Sequence, residues 1–478
     1  MKAVERTLNE GDRACDEQAK ISAGLVQIKP SAQEWSDIQN NNNNEYYLSL
    51  ADGSYNNNNK NNLYWVVPVE SNEVSDLVFR AEEDCWSNKH SSWDAAKYHY
   101  HTGRRVWQFI QDLENRTYKP WKSYCFIVMY PKPREIFAAH YQDRIAHHIV
   151  APYLTAIAEA VHNKNGNVSF GNRKKMSSLH ACKRVQEMMR KHPNGYIATF
   201  DLAGYFMSID RGVAWDVFCE YERQYRPSNI NAEYREFVMW LAEILIKHDP
   251  SLNCERRSPQ RLWDEHIKPS KSLFGNNGNG LPIGNYYSQI IANLILEYVC
   301  EAMLEYDITE FVDDFAIVVD TSNEVQAAQI AMDERLSKLK LHRNKRKTYI
   351  QPVRHGVLWC GHFIYADRMY TSNRTIHNCE RKVKAALVNP TLRKARRLQQ
   401  TINSYFGMMR HSQEYKTQKR IACSIEASEY SKWLIFEEYE SHIVCRMRKE
   451  YRQVALSAVE LLELENYYKH KEYDSNTN

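Results

Sequence analysis

The chain has 478 residues, of which 43% are apolar and 26% charged, and its formal net charge is +4. That length supports several domains and a large core, which excludes a peptide hormone, a small disulfide scaffold and a fibre, and no apolar run approaches the roughly 20 residues of a membrane span. Met1 to Arg13 has no apolar targeting core, and the eleven cysteines are scattered without a C-x-x-C pair, so a cytoplasmic protein with no membrane partner and no zinc ribbon is expected.

From the N-terminus, Asn40 to Asn44 and Asn56 to Asn59 are unbroken asparagine runs, and Asn61-Asn62 follow Lys60. Asparagine is poor inside helices and strands because its amide competes for backbone hydrogen bonds, so a flexible segment is expected over residues 1–70. Around the runs, Tyr46 to Leu50, Asp52-Gly53 and Tyr64 to Val69 read as strand, turn, strand. Val106, Ile110 and Leu113 have helical spacing. Tyr124 to Tyr130 reads as a strand stopped by Pro131 and Pro133, and Glu135 to Val161 as largely helical. A short strand over Tyr196 to Phe200 delivers Asp201. Gly280 to Gln289 is a turn opening a helix, and Phe311 to Asp320 a buried hairpin strand. From Arg374 to Arg420 twelve Lys/Arg face only Glu380 and Glu414, in a helical pattern interrupted at Gly407. Strands and helices out of strict alternation indicate an α+β fold.

Asp313 and Asp314 lie inside an otherwise apolar run, Phe311 to Val319. Two adjacent carboxylates in such a setting are costly without a compensating cation, although Asp313-Asp314 is also a good turn pair. Asp201 presents the same choice, as a helix N-cap or a ligand. The order decides more than any one motif does: a strand ending in a carboxylate, a glycine loop opening a helix, then a carboxylate hairpin.

In this order the residues resemble the reverse transcriptases. Asp201 and Phe206 match that family's motif A, Gly280 to Asn293 motif B, and Phe311 to Phe315 the aromatic-x-Asp-Asp box of motif C. Tyr130 to Ile136, Asp143-Arg144, Leu341-His342-x-x-Lys345 and Trp359-Cys360-Gly361 extend the likeness over about residues 90 to 410. Ile283-Gly284-x-x-x-Ser288-Gln289 replaces the usual Gln-Gly form and is similar to that of diversity-generating retroelements.

The resemblance implies a right-hand polymerase. An N-terminal extension and fingers would occupy 71–190, the palm with part of the fingers 191–372, a helical basic thumb 373–450 and a tail 451–478. It implies two Mg²⁺ ions, with Mn²⁺ as a substitute, held by Asp201, Asp313, Asp314 and the backbone carbonyl of Leu202. Lys132 and Arg134 would grip the incoming triphosphate, Phe206 would exclude a 2′-hydroxyl, and Ile283, Gly284 and Gln289 would line the nucleotide pocket. Lys345 would protonate the leaving pyrophosphate, with Arg343, Arg346 and Lys347 as neighbouring alternatives. An apolar Ile283 cannot hydrogen-bond the incoming sugar as a glutamine would, which points to lower fidelity. Implied partners are template RNA, a DNA or RNA primer, dNTPs and a basic oligomeric accessory variability determinant. In that setting the adenine-rich codons of the asparagine runs read as translated template-repeat sequence. An antiphage reverse transcriptase would share these motifs, whereas a non-catalytic RNA-binding scaffold would not require Asp201, Asp313 and Asp314.

Overall fold

The structure, a computed structural model, describes residues 73–89, 95–96, 98, 102–276 and 278–452. The asparagine-rich segment with its expected strand, turn and strand, and most of the 451–478 tail, lie outside the described residues. The first elements are α1 (Val74–Lys89) and α2 (Thr102–Glu114), the latter burying Val106, Phe109, Ile110 and Leu113 on one stripe. β1 (Ser123–Val128) and β2 (Arg134–Ala138) then form an antiparallel hairpin in which Val128 opposes Arg134.

This hairpin corrects the helix expected from Glu135 onward. Glu135 and Phe137 are both buried while Arg134 is exposed, so the segment alternates with period two; a carboxylate on the inner face hides that alternation in the sequence. The helix α3 starts only at Tyr141 and runs to Lys164, capped by the His140 side chain. It is buried on most of its circumference, because α1 and three later helices, α6 (Arg211–Tyr225), α7 (Ala232–Lys247) and α9 (Tyr286–Cys300), pack around it. Between them come α4 (Ser178–Lys191), α5 (Tyr205–Ser208) and α8 (Gln260–His266).

A four-stranded antiparallel sheet has the order β5 (Asp307–Phe311), β6 (Asp314–Val319), β3 (Tyr196–Asp201), β7 (Tyr349–Pro352). Its two central strands are covered on both faces, which is why they read as continuous apolar runs. Ala198, Phe200, Phe315, Ile317 and Val319 belong to the core around α3 and α9. Their alternates Ile197, Ala316 and Val318 pack with Cys182 and Val185 of α4 and with a small sheet formed by β8 (Val357–Trp359), β9 (His362–Ile364) and β10 (Met369–Thr371). A further short strand, β4 (Cys254–Arg256), adds in parallel to β1, and α10 (Ser322–Lys338) follows β6 behind a capping box formed by Thr321 and Glu324.

The C-terminal region contains α11 (Asn373–Ala386), α12 (Leu392–Met409) and α13 (Tyr415–Glu426), followed by a hairpin of β11 (Leu434–Glu438) and β12 (Ile443–Met447) that the helical pattern did not announce. They share one apolar cluster, with Leu398, Ile402, Phe406, Ile421 and Ile443 buried in it. The interruption expected at Gly407 is absent: α12 passes through it. Glycine there costs about 1 kcal/mol against alanine, and the buried stripe of Ile402, Phe406 and Met409 holds the helix together across it. Among the described residues no helix is long and apolar enough to cross a membrane.

Candidate active site

β3 and β6 are paired so that Asp201 stands directly opposite Asp314. The β5–β6 connection is the two-residue turn Val312-Asp313, which sets Asp313 next to both. Val312 has φ +62°, a left-handed conformation that costs a β-branched residue about 1–3 kcal/mol. The turn is backed by Gly171, where a Cβ would come within 2.7 Å of the Val312 backbone nitrogen. The chain thus accepts local strain at the position that presents a carboxylate.

After Asp201 the backbone leaves the sheet. Asn344 N donates to the Asp201 carbonyl at 2.7 Å and Ala203 N to that of His342 at 2.9 Å, so buried Leu202 is pinned between two backbone contacts. Gly204, at φ +59°, then turns the chain into α5, which carries Phe206. The Asp201 carboxylate is buried and accepts from Lys347 Nζ (2.8 Å to Oδ2, 3.0 Å to Oδ1) and from Asn344 Nδ2 (3.0 Å). Burial and the Asp201 charge hold the Asp313 carboxyl above its ordinary range, and burial with Asp313 and Asp201 pushes Asp314 up to about 6. The Asp201 contact holds the Lys347 ammonium in its charged form, above its ordinary value.

A cavity of about 750 Å³ opens onto these groups. Asp313, Asp314 and Lys347 line one part of it, and Lys132 and Arg134, from the end of the β1–β2 loop, another. Phe206, Ile283, Gly284 and Gln289 line it as well. The loop before α9 is fixed by Phe137 N, which donates to the Ile283 carbonyl at 3.0 Å, and Ile283 packs with Phe137 and Met207. Gly284 has φ +115°, and a Cβ there would stand 3.1 Å from the Phe137 carbonyl oxygen, so this close approach of loop to strand requires glycine.

The structure therefore brings together Lys132, Arg134, Phe206, Ile283, Gly284, Gln289, Asp313 and Asp314, with Asp201 buried opposite Asp314. Lys347 rather than Lys345 is the cation that lines the cavity and meets Asp201. The two belong to one 3-10 turn, Lys345–Lys347, in which residues two apart point in different directions. Arg343 is occupied elsewhere, donating to both Asp333 oxygens at 3.0 and 2.8 Å. Lys268 and Lys271, which also line the cavity, have no motif or periodicity that would single them out.

Three carboxylates and a backbone carbonyl are all hard oxygen donors, the set that suits Mg²⁺ rather than a thiolate- or imidazole-seeking metal. Among the described residues no three His, Cys, Asp or Glu side chains are already drawn together as a cage. Mg²⁺ binds through one or two carboxylates and keeps water or substrate phosphate for its other positions.

No protein-family model matches the chain, and no curated protein matches it. Solved structures do. One, an apo telomerase from Candida tropicalis truncated from its C-terminal domain, is 11% identical, with 52% of this chain and 55% of that chain covered and a TM-score of 0.39. A telomerase from Candida albicans in complex with a TWJ fragment of telomeric RNA is 11% identical, covering 75% and 60%, with a TM-score of 0.40. A second apo telomerase from Candida tropicalis is 8% identical, covering 65% and 60%, with a TM-score of 0.41. This chain spans 55–60% of the length of these telomerase chains. At such values the functional reading rests on the residues of the site.

Proposed function

We propose that the protein is an RNA-directed DNA polymerase. The observation that carries this reading is the register of Asp201 against Asp314, with Asp313 in the adjoining turn, at a cavity that also holds Lys132 and Arg134. Nucleotide addition is an in-line attack of a primer 3′-hydroxyl on an α-phosphate, and charge develops on the attacking and leaving oxygens. Two divalent ions bound by carboxylates supply the stabilisation of that charge. Asp201, Asp313, Asp314 and the Leu202 carbonyl would hold them. The chain's own residues bind and orient the rest: Lys132 and Arg134 suit phosphate oxygens as a point charge and a planar fork. Phe206 would give bulk beneath the sugar, which would favour a deoxyribose, and Lys347, which lines the same cavity, would donate a proton near the phosphates.

On this reading β3, β5, β6 and β7 with their flanking helices are the palm, the β1–β2 hairpin belongs to the fingers and α11 to α13 form the thumb. The basic face of that last region suits a template–primer backbone and gives salt-dependent binding. The finer assignment, a diversity-generating retroelement enzyme working with template-repeat RNA and an accessory variability determinant, is supported by Ile283-Gly284-x-x-x-Ser288-Gln289. Ile283 at the cavity wall offers an incoming nucleotide no hydrogen bond.

Primer extension on an adenine-containing RNA template, with dNTPs and Mg²⁺ or Mn²⁺, tests both levels. Synthesis of cDNA that Asp313→Asn and Asp201→Asn abolish is the expected result. Errors concentrated at template adenines would support the retroelement assignment, and uniformly faithful cDNA would overturn it. Wild-type protein that makes no cDNA with the native RNA and accessory protein supplied would overturn the polymerase reading.

A further inference from the structure

Between α7 and α9 the chain makes a long excursion, His248 to Gly280, whose charged residues none of the motifs uses. Two of them, Lys268 and Lys271, line the same cavity as Asp313, Asp314, Lys132 and Arg134. They bracket a single 3-10 turn, Pro269–Lys271, opened by proline and closed by Lys271 N donating to the Lys268 carbonyl at 2.8 Å. Among the described residues neither ammonium group is engaged in an ion pair. Two other lysines of this region differ, since Lys340 is matched to Asp210 and Lys347 to Asp201.

The turn is held in place from beneath. Glu135, fully buried, accepts from Trp263 Nε1 (2.7 Å), Ser272 Oγ (2.7 Å) and Leu273 N (2.8 Å). Three donors compensate the burial of that carboxylate and fix the chain on either side of Pro269–Lys271. Asn276 Nδ2 donates to the Met207 carbonyl at 2.8 Å, which ties the end of the excursion to the helix carrying Phe206. β2 therefore does two things with consecutive residues: exposed Arg134 lines the cavity, and inward Glu135 positions the turn bearing Lys268 and Lys271. Both cationic sets are referred to one strand, so their spacing is fixed.

We propose that Lys268 and Lys271 complete, with Lys132 and Arg134, the cradle for the triphosphate of the incoming nucleotide. The proposal rests on the polymerase reading above and adds a second cationic wall from the chain between α7 and α9. Four cations facing one cavity from two walls suit a compact polyanion better than the extended backbone of a template strand.

Two measurements test it. Calorimetric titration of wild-type protein and of a Lys268→Ala/Lys271→Ala double variant with inorganic tripolyphosphate and Mg²⁺ needs no turnover. Loss of two charge-assisted contacts should weaken binding by about tenfold or more, and a Lys268→Arg/Lys271→Arg variant should recover most of it. In primer extension the alanine variant should raise KM for dNTP while its affinity for template–primer stays at the wild-type level. Equal tripolyphosphate affinity in wild type and variant would overturn the proposal, as would a defect confined to template–primer affinity. Either result leaves the polymerase reading standing if wild-type protein makes cDNA, so the two failures are distinguishable.

Discussion

Lys347 Nζ stands 2.8 Å from Asp201 Oδ2, so the carboxylate cluster contains a protein cation of its own. The ammonium offsets part of the repulsion among Asp201, Asp313 and Asp314, and it uses the oxygens a divalent ion would need. A Lys347→Met variant should therefore lose about 0.5–1 kcal/mol of stability in chelator, the scale of an exposed ion pair. Mg²⁺ should raise Tm more in the variant than in wild type, because metal then meets no competitor at Asp201. Thermal unfolding with and without Mg²⁺ reads this directly, and identical shifts would show that ammonium and metal do not share the site.

The Glu135 clamp gives a second expectation. In a Glu135→Ala variant the Trp263 indole, the Ser272 hydroxyl and the Leu273 amide lose their acceptor in a buried place, which should cost about 3 kcal/mol. Urea unfolding measures that loss. The turn should also become accessible, so trypsin should cut after Lys271 faster in the variant under native conditions. Glu135→Gln keeps one acceptor oxygen and should fall between the two proteins in both assays.

Gly284 can be tested by the smallest possible change. At φ +115° and with the Phe137 carbonyl 3.1 Å from where a Cβ would sit, Gly284→Ala is both strained and crowded, at about 1–3 kcal/mol. Relief requires the loop to leave β2, breaking the bond from Phe137 N to the Ile283 carbonyl. Nucleotide addition should fall by at least about tenfold, a loss corresponding to roughly 1.4 kcal/mol, while circular dichroism remains that of wild type. Undiminished activity would mean that the Ile283–Gly284 geometry is not required for nucleotide binding.

The carboxylates were legible in the sequence because each interrupts or ends an apolar strand, where an uncompensated charge needs a reason. Ile283, Gly284 and Gln289 were singled out by the resemblance to the reverse transcriptases, because a glycine loop opening an apolar helical stripe is a weak signal by itself. Glu135 was not. It looks like the exposed position of a helix, and only its three donors, one of them 138 residues away at Leu273, make it an inner strand residue. Lys268 and Lys271 were invisible for the same reason, since their place is set by that distant carboxylate and by no local period. The cations Arg343, Lys345, Arg346 and Lys347 stay equivalent in the sequence, because a run of cations does not say which member of a 3-10 turn faces inward; the structure turns Lys347 toward Asp201. Gly407 misled in the opposite sense, as a lone glycine whose local cost the tertiary packing of α12 absorbs.

The pH dependence of stability should carry the mark of His147. This side chain is buried in α3 against the Tyr287 ring, with centroids 4.9 Å apart. Burial first, and then the charges of His148, Arg144 and His248, push its pKa down to about 3. In the unfolded chain a histidine titrates at about 6.5. Between these values the unfolded chain binds a proton that the folded chain refuses, so stability falls as pH falls, by about 1.4 kcal/mol per pH unit for this one group. The contribution is complete above about pH 6.5 and is lost progressively toward about pH 3. A His147→Gln variant has no such proton to refuse. Whatever its stability at pH 7.5, wild-type protein should lose about 1.6 kcal/mol more than the variant between pH 6.5 and 5.0. Urea unfolding at several pH values gives the two slopes, and parallel lines would mean that His147 takes up its proton in the folded state.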